Sequence, residues 1–190
     1  MLARIVQEAT DAVAAAVKGV DNILSAVTGT VKDQVVNVLH GTGEIAGTAV
    51  EAVASVASGA IKGAGQVGAS LTDTVFSTMS GVVHGVSEVG GDVIGAVRGA
   101  AEGVVKGTAE TGGDIGSAAV SAVEGAIKAA GDVGADTAEA AKAAVGGTLD
   151  AATSVGGSAV ETVRSALLSA ASLPRDVVES AIKGSEDENK

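Results

Sequence analysis

Val89-Gly90-Gly91-Asp92-Val93-Ile94-Gly95-Ala96-Val97-Arg98-Gly99-Ala100-Ala101-Glu102-Gly103-Val104-Val105-Lys106-Gly107-Thr108-Ala109-Glu110 is one unit of a pattern that runs along the chain. Its opening recurs as Val67-Gly68-Ala69-Ser70, Thr111-Gly112-Gly113-Asp114, Val133-Gly134-Ala135-Asp136 and Val155-Gly156-Gly157-Ser158, each 22 residues from the next. Its later segment, Val105-Lys106-Gly107, recurs as Val17-Lys18-Gly19, Leu39-His40-Gly41, Ile61-Lys62-Gly63, Val83-His84-Gly85 and Ile127-Lys128-Ala129. Eight such rows fit between Met1 and Asp176 without an insertion. Fixed-period self-similarity of this kind marks a repeat architecture.

Twenty-two is twice eleven, and eleven residues make three helical turns at about 3.67 residues per turn. At that pitch Val89, Val93, Ile94, Val97, Ala101, Val104 and Val105 share one arc of the helix surface. Along the chain the arc is carried by Val17, Leu39, Ile61, Val83, Val105, Ile127 and Leu149, with Val31, Val53, Val75, Val97 and Val163 on the same face. Acids and amides (Glu44, Gln66, Glu88, Glu110, Asp132) fall opposite. The pattern predicts an all-α fold of tandem amphipathic repeats over residues 1–172, without strands.

Two backbone courses satisfy this pattern. The apolar phase continues through Val67, Val89, Val133 and Val155, as one long helix would require. Such a helix over residues 1–172 would extend about 260 Å at 1.5 Å per residue. Yet each row also carries stop and start signals: Lys or His then Gly suggests a helix end, and Ser or Asp after Gly-Gly suggests an N-cap. Asp136-Thr137-Ala138-Glu139 and Ser158-Ala159-Val160-Glu161 resemble capping boxes. Helices of about 15 residues folding back at Gly-rich turns are the alternative. Leu173-Pro174 ends the pattern, because Pro disfavours helix in the residue before it. A short helix over 173–184 and a disordered acidic tail over 185–190 are expected beyond it.

Composition narrows the function. Hydrophobic residues make up 46% of the 190, but aromatics only 1%, with Phe76 alone among them. Gly contributes 28 residues, each costing about 1 kcal/mol against Ala inside a helix. Helices this weak need a partner surface to order them. The net charge of −11 argues against a nucleic-acid partner. No cysteine is present to form a disulfide or thiolate metal site. The longest run free of Asp, Glu, Lys and Arg, Thr74–Ser87, has 14 residues, short of the ~20 a transmembrane helix needs. The N-terminal residues lack the basic region and apolar block of a signal peptide. A cytoplasmic protein held peripherally at a lipid surface is the expectation.

Nothing in the sequence points to catalysis, a metal or a cofactor. His40 and His84 occupy a column otherwise held by Lys18, Lys62, Lys106 and Lys128, without ligand-spaced partners. Gly63-Ala64-Gly65-Gln66-Val67-Gly68 matches the letters of a dinucleotide loop but lacks the preceding strand that fingerprint needs. Asp92, Asp114 and Asp136 suit helix caps. No small-molecule substrate is expected. A stripe of small residues, Gly59, Gly63, Gly81, Gly85, Gly103, Gly107 and Gly125, flanks the apolar arc. Small residues four apart permit close helix approach and favour self-association, although they are also tolerated beside a lipid-facing arc.

Glu102-Gly103-Val104-Val105-Lys106-Gly107-Thr108-Ala109-Glu110 and Gly81-Val82-Val83-His84-Gly85-Val86 resemble the 11-residue repeats of synucleins. Thr28-Gly29-Thr30-Val31-Lys32-Asp33-Gln34-Val35-Val36-Asn37-Val38 resembles the repeats of perilipins, which coat lipid droplets. The resemblance implies a chain disordered in water that becomes one long helix on lipid. It departs from those families in its acidity: they carry many more lysines beside the apolar face. The expected function is therefore a non-enzymatic helix covering an apolar surface, foremost a membrane or lipid droplet. A self-assembling scaffold, built as a homo-oligomeric right-handed coiled coil or helix bundle, is the alternative. A stress protectant or ice binder is the third.

Overall fold

The computed structural model describes residues 2–17, 23–42 and 46–188. All secondary structure among them is helical, in nine α-helices. These are α1 (Leu2–Val17), α2 (Ile23–Thr42), α3 (Ala46–Gln66), α4 (Leu71–Glu88), α5 (Val93–Glu110), α6 (Ile115–Asp132), α7 (Thr137–Val155), α8 (Ala159–Ser169) and α9 (Arg175–Glu188). The chain therefore breaks where the long-helix course would have continued. The last helix runs through Glu188, into the segment read from sequence as a tail.

The break has a local cause that repeats. After α4, the Gly90 N–H donates to the Ser87 carbonyl (3.1 Å) and the Gly91 N–H to the Val86 carbonyl (2.9 Å). This is the Schellman pattern, which satisfies carbonyls left open at a helix end. It requires a left-handed residue, and Gly90 supplies φ 70°. Gly68, Gly112 and Gly134 sit at φ 71°, 70° and 74° in the matching turns. The next helix starts two residues later. The Asp92 carboxylate accepts from the Gly95 N–H, Asp114 accepts from Gly116 and Ser117, and Asp136 accepts from Ala138 and Glu139. Ser70 and Ser158 make no such side-chain bond. At Ser158 the backbone (φ −85°, ψ 5°) is not extended, so the capping box read there does not form.

The repeat length follows from this geometry. The helices α4, α5 and α6 each have 18 residues, five turns at 3.6 per turn and about 27 Å long. Four turn residues complete the 22. Val67 and Val133 keep the apolar phase across the turns because, as residues just past a helix end, they pack against the core.

Helices pack by alternation. α1, α3, α5, α7 and α9 lie side by side in one layer, and α2, α4, α6 and α8 form a second layer against it. Neighbours within a layer run parallel: Gly99, Gly103 and Gly107 of α5 meet Val50, Ala54 and Ser58 of α3 in ascending order. The core is a sheet of Val and Ala between the layers, with Met79 its largest fully buried side chain. Met79 lies against Gly125, a large residue facing a missing one.

Candidate functional site

The sequence-expected apolar face lies inside the fold. Val31, Val53, Val75, Val83, Val97, Val105 and Val163 are 0–2% exposed, and Ile61 and Leu149 are also buried. Leu39 and Ile127 are half-buried against the same core. Val17 belongs to α1, but its side chain lies outside the described residues. Among the described residues the large hydrophobics left exposed are Val155 (44%) and Leu168 (37%).

The small-residue stripe lies where parallel helices approach most closely, backbone to backbone at every member except Gly125, which faces the Met79 side chain. A Cβ built on Gly59 would stand 2.6 Å from the Val6 carbonyl oxygen, and one on Gly63 would meet the Thr10 carbonyl. Gly81 and Gly85 of α4 lie against Thr28, Val31 and Lys32 of α2. Gly103 and Gly107 of α5 lie against Ala54 and Ser58 of α3, and Gly125 of α6 against Met79 of α4. At Gly59, Gly63, Gly81, Gly103 and Gly107 no Cβ fits unless a backbone moves, while at Gly85 and Gly125 the neighbour need give only slightly. Such proximity permits Cα–H···O contacts and dispersion between backbones, which partly replace the burial that larger side chains would supply. Gly99 does the same beside Gly103 on the α3–α5 seam, and Gly147 of α7 against Arg98 of α5, whereas Gly116 of α6 meets only side chains, Ala166 and Thr162 of α8 among them. Gly147 continues the 22-residue column in sequence, whereas Gly99 and Gly116 lie outside it and only the packing singles them out.

Charges tie the layers along their outer surfaces. Lys32 pairs with Glu88 at 2.7 Å, Arg98 with Asp150 at 2.8 Å, and Lys62 with Glu110. Each pair joins helices adjacent in one layer. The Lys32 ammonium holds the Glu88 carboxyl below its usual range, first by hydrogen bonding and then by charge. Glu88 in turn raises Lys32. Asp114 is held low chiefly by the Ser117 N–H and hydroxyl. The Lys32–Glu88, Lys62–Glu110 and Arg98–Asp150 pairs are partly exposed at the surface, where salt bridges contribute little.

The two histidines lie apart, on α4 and α2. His84 is half-buried, its Nδ1 2.7 Å from the Ser80 carbonyl oxygen one turn earlier, and His40 is exposed on α2. Among the described residues, no group of three His, Asp or Glu side chains is placed to hold a metal. Gly63 to Gln66 form the last turn of α3. A phosphate loop needs the opposite, positive end of a helix. A groove of about 530 Å³ lies between the α3 and α5 ends, with Ile61, Ala64 and Leu71 among its lining and the Lys62–Glu110 pair beside it. Another, about 510 Å³, holds Phe76 beside Ser25, Thr28 and Gly29. The Ala/Val core leaves the chain's one aromatic ring half-buried in this surface groove rather than inside. No helix among the described residues is long and apolar enough to cross a membrane. No protein-family model matches the chain, and no curated protein matches it.

Proposed function

We propose that the protein is a non-enzymatic helical scaffold whose amphipathic repeats cover one another's apolar faces within a single chain. The observation behind this reading is the occupancy of the apolar arc: residues that would lie on lipid, such as Val83, Val97 and Val105, are wholly buried between the two layers. The scaffold needs no second copy to close that arc. Its outer surfaces are polar: α1 exposes Arg4, Gln7, Glu8 and Asp11, and α9 exposes Arg175, Asp176, Glu179 and Lys183. Polar terminal helices are what a soluble helical repeat requires at its ends.

A lipid-covering role is the second reading, supported by the glycine-dense, aromatic-poor helices, which gain little from packing. It demands more than a parting of the layers. Turns of three to five residues from α3 to α9 stitch them together at both edges, so the apolar face can reach a lipid surface only if neighbouring helices leave one another. Far-UV circular dichroism and light scattering in dilute buffer, with and without neutral lipid vesicles, separate the two. The scaffold is helical and monomeric alone and unchanged by vesicles. A chain that is coil in buffer and helical only with vesicles overturns it in favour of the lipid coat.

A further inference from the structure

We propose that α8 and α9 form a hinged arm that exchanges between two copies of this chain. The arm breaks the packing rule of the rest. In α4 and α6, Ser77 and Gly81, and Ser121 and Gly125, are buried; the equivalent residues of α8, Ser165 and Ser169, are exposed. A trough of about 530 Å³ opens there between α6 and α8, lined by hydroxyls and two carboxylates, Asp114 and Glu161. The remaining close approach is Gly116 of α6 against Ala166 of α8. On the other layer α9 makes no glycine-to-backbone contact: Gly184, its one glycine, has open space around it. Glycine interlock therefore holds α1 to α7, and ordinary side-chain burial holds the arm.

The joint differs too. The turn before α8 has two consecutive positive-φ residues, Gly156 (φ 82°) and Gly157 (φ 61°), where each of the four turns between α3 and α7 has one. Ser158 leaves the following helix without a side-chain cap. The two large hydrophobics exposed among the described residues, Val155 and Leu168, lie at the joint or in the arm. Rotation at two glycines carries little steric cost. The arm nevertheless buries Val163, Leu167, Leu173, Val178 and Ile182 at 0–6% exposure, so once released it must dock again. The surface that fits it is the outer side of α6 and α7, present identically on a second copy. Exchange of an identical element is a low-cost route to a dimer.

Two measurements test this. An ideal Cβ on Gly116 stands 3.1 Å from the Ala166 Cβ. That is about 0.7 Å short of the ~3.8 Å mean of a disulfide and about 0.4 Å short of the lower end of its range, so a slight parting of the helices admits one. The chain has no native cysteine, so a Gly116→Cys/Ala166→Cys variant reports one linkage alone. Oxidised when dilute, it should give a cross-linked monomer. Held concentrated before oxidation, it should give a covalent dimer on non-reducing gels. Hydrogen exchange on the unmodified chain should show α8 and α9 amides exchanging roughly tenfold or more faster than those of α5 and α6. Protection in the arm equal to that of α5 overturns the hinge. Fast exchange with intrachain cross-links at every concentration overturns the exchange between copies, because the arm then returns only to its own body.

Discussion

Replacing Gly103 by Ala should destabilise the fold, while replacing Gly29 by Ala should stabilise it. Both glycines lie inside helices with ordinary helical backbone, so Ala brings each about 1 kcal/mol of helix propensity. The difference lies in what the new methyl meets. Around Gly29 nothing stands within 4 Å, and the gain survives. At Gly103 the methyl would drive into the Ala54 carbonyl group, with the Ala54 Cα 2.9 Å away. That obstacle is backbone and has no rotamer to change. α3 and α5 must move apart, which also loosens Gly99 against Val50 and Gly107 against Ser58. Overpacking costs about 1–3 kcal/mol, and a backbone clash belongs at the upper end. Subtracting the propensity gain leaves a net loss of about 2 kcal/mol. For a domain of this size that lowers Tm by roughly 4–8 °C. Urea titration followed by far-UV circular dichroism reads both variants on one scale. A Gly103→Ala protein at least as stable as Gly29→Ala would refute backbone contact between parallel helices, and the fold with it.

Three further outcomes follow from named atoms. Asp114→Ala should cost about 1 kcal/mol through lost capping bonds, whereas Ser70→Ala should cost almost nothing because Ser70 makes none. Since Asp114 titrates below its unfolded value of about 3.9, its contribution is present above that pH and disappears as pH falls through the folded pKa. A stability difference between wild type and Asp114→Ala that grows, rather than shrinks, as pH falls below about 3.9 would contradict this. Thr78 and Thr108 are wholly buried with hydroxyls that find no partner, so Thr78→Val and Thr108→Val should each stabilise by about 1 kcal/mol in thermal melts. Gly90→Ala, at φ 70°, should cost about 1–2 kcal/mol, and no loss would mean that the turn is not left-handed.

Much of this was legible in residue order, because the signals involved are local. A Gly two residues before Asp, as at Gly90 and Asp92 or Gly112 and Asp114, specifies a helix end and a new start within one turn. The period of 22 was equally plain, but its meaning was not: twice eleven and eighteen plus four give the same number. Val67 and Val133 hold the apolar phase through the turn as a continuous helix would, and so does a residue just past a helix end when it packs on the core. Gly99 and Gly116 had no distinguishing spacing in a chain with 28 glycines, and only the neighbours they touch set them apart.

The sequence by itself determined that the chain is helical, where the described caps at Asp92, Asp114 and Asp136 fall, and which arc of each helix is apolar. These depend on interactions within about one helical turn, which residue order specifies directly. Only the tertiary structure decided what that arc faces. Val97 and Val105 would be equally satisfied by lipid, a second copy or the opposite layer, since apolar burial has no directional preference. The choice rests on contacts such as Gly103 with Ala54, 49 residues away, which pair each helix with the next but one. No local pattern encodes that pairing. It emerges when reversing turns bring parallel helices together and glycine lets their backbones touch.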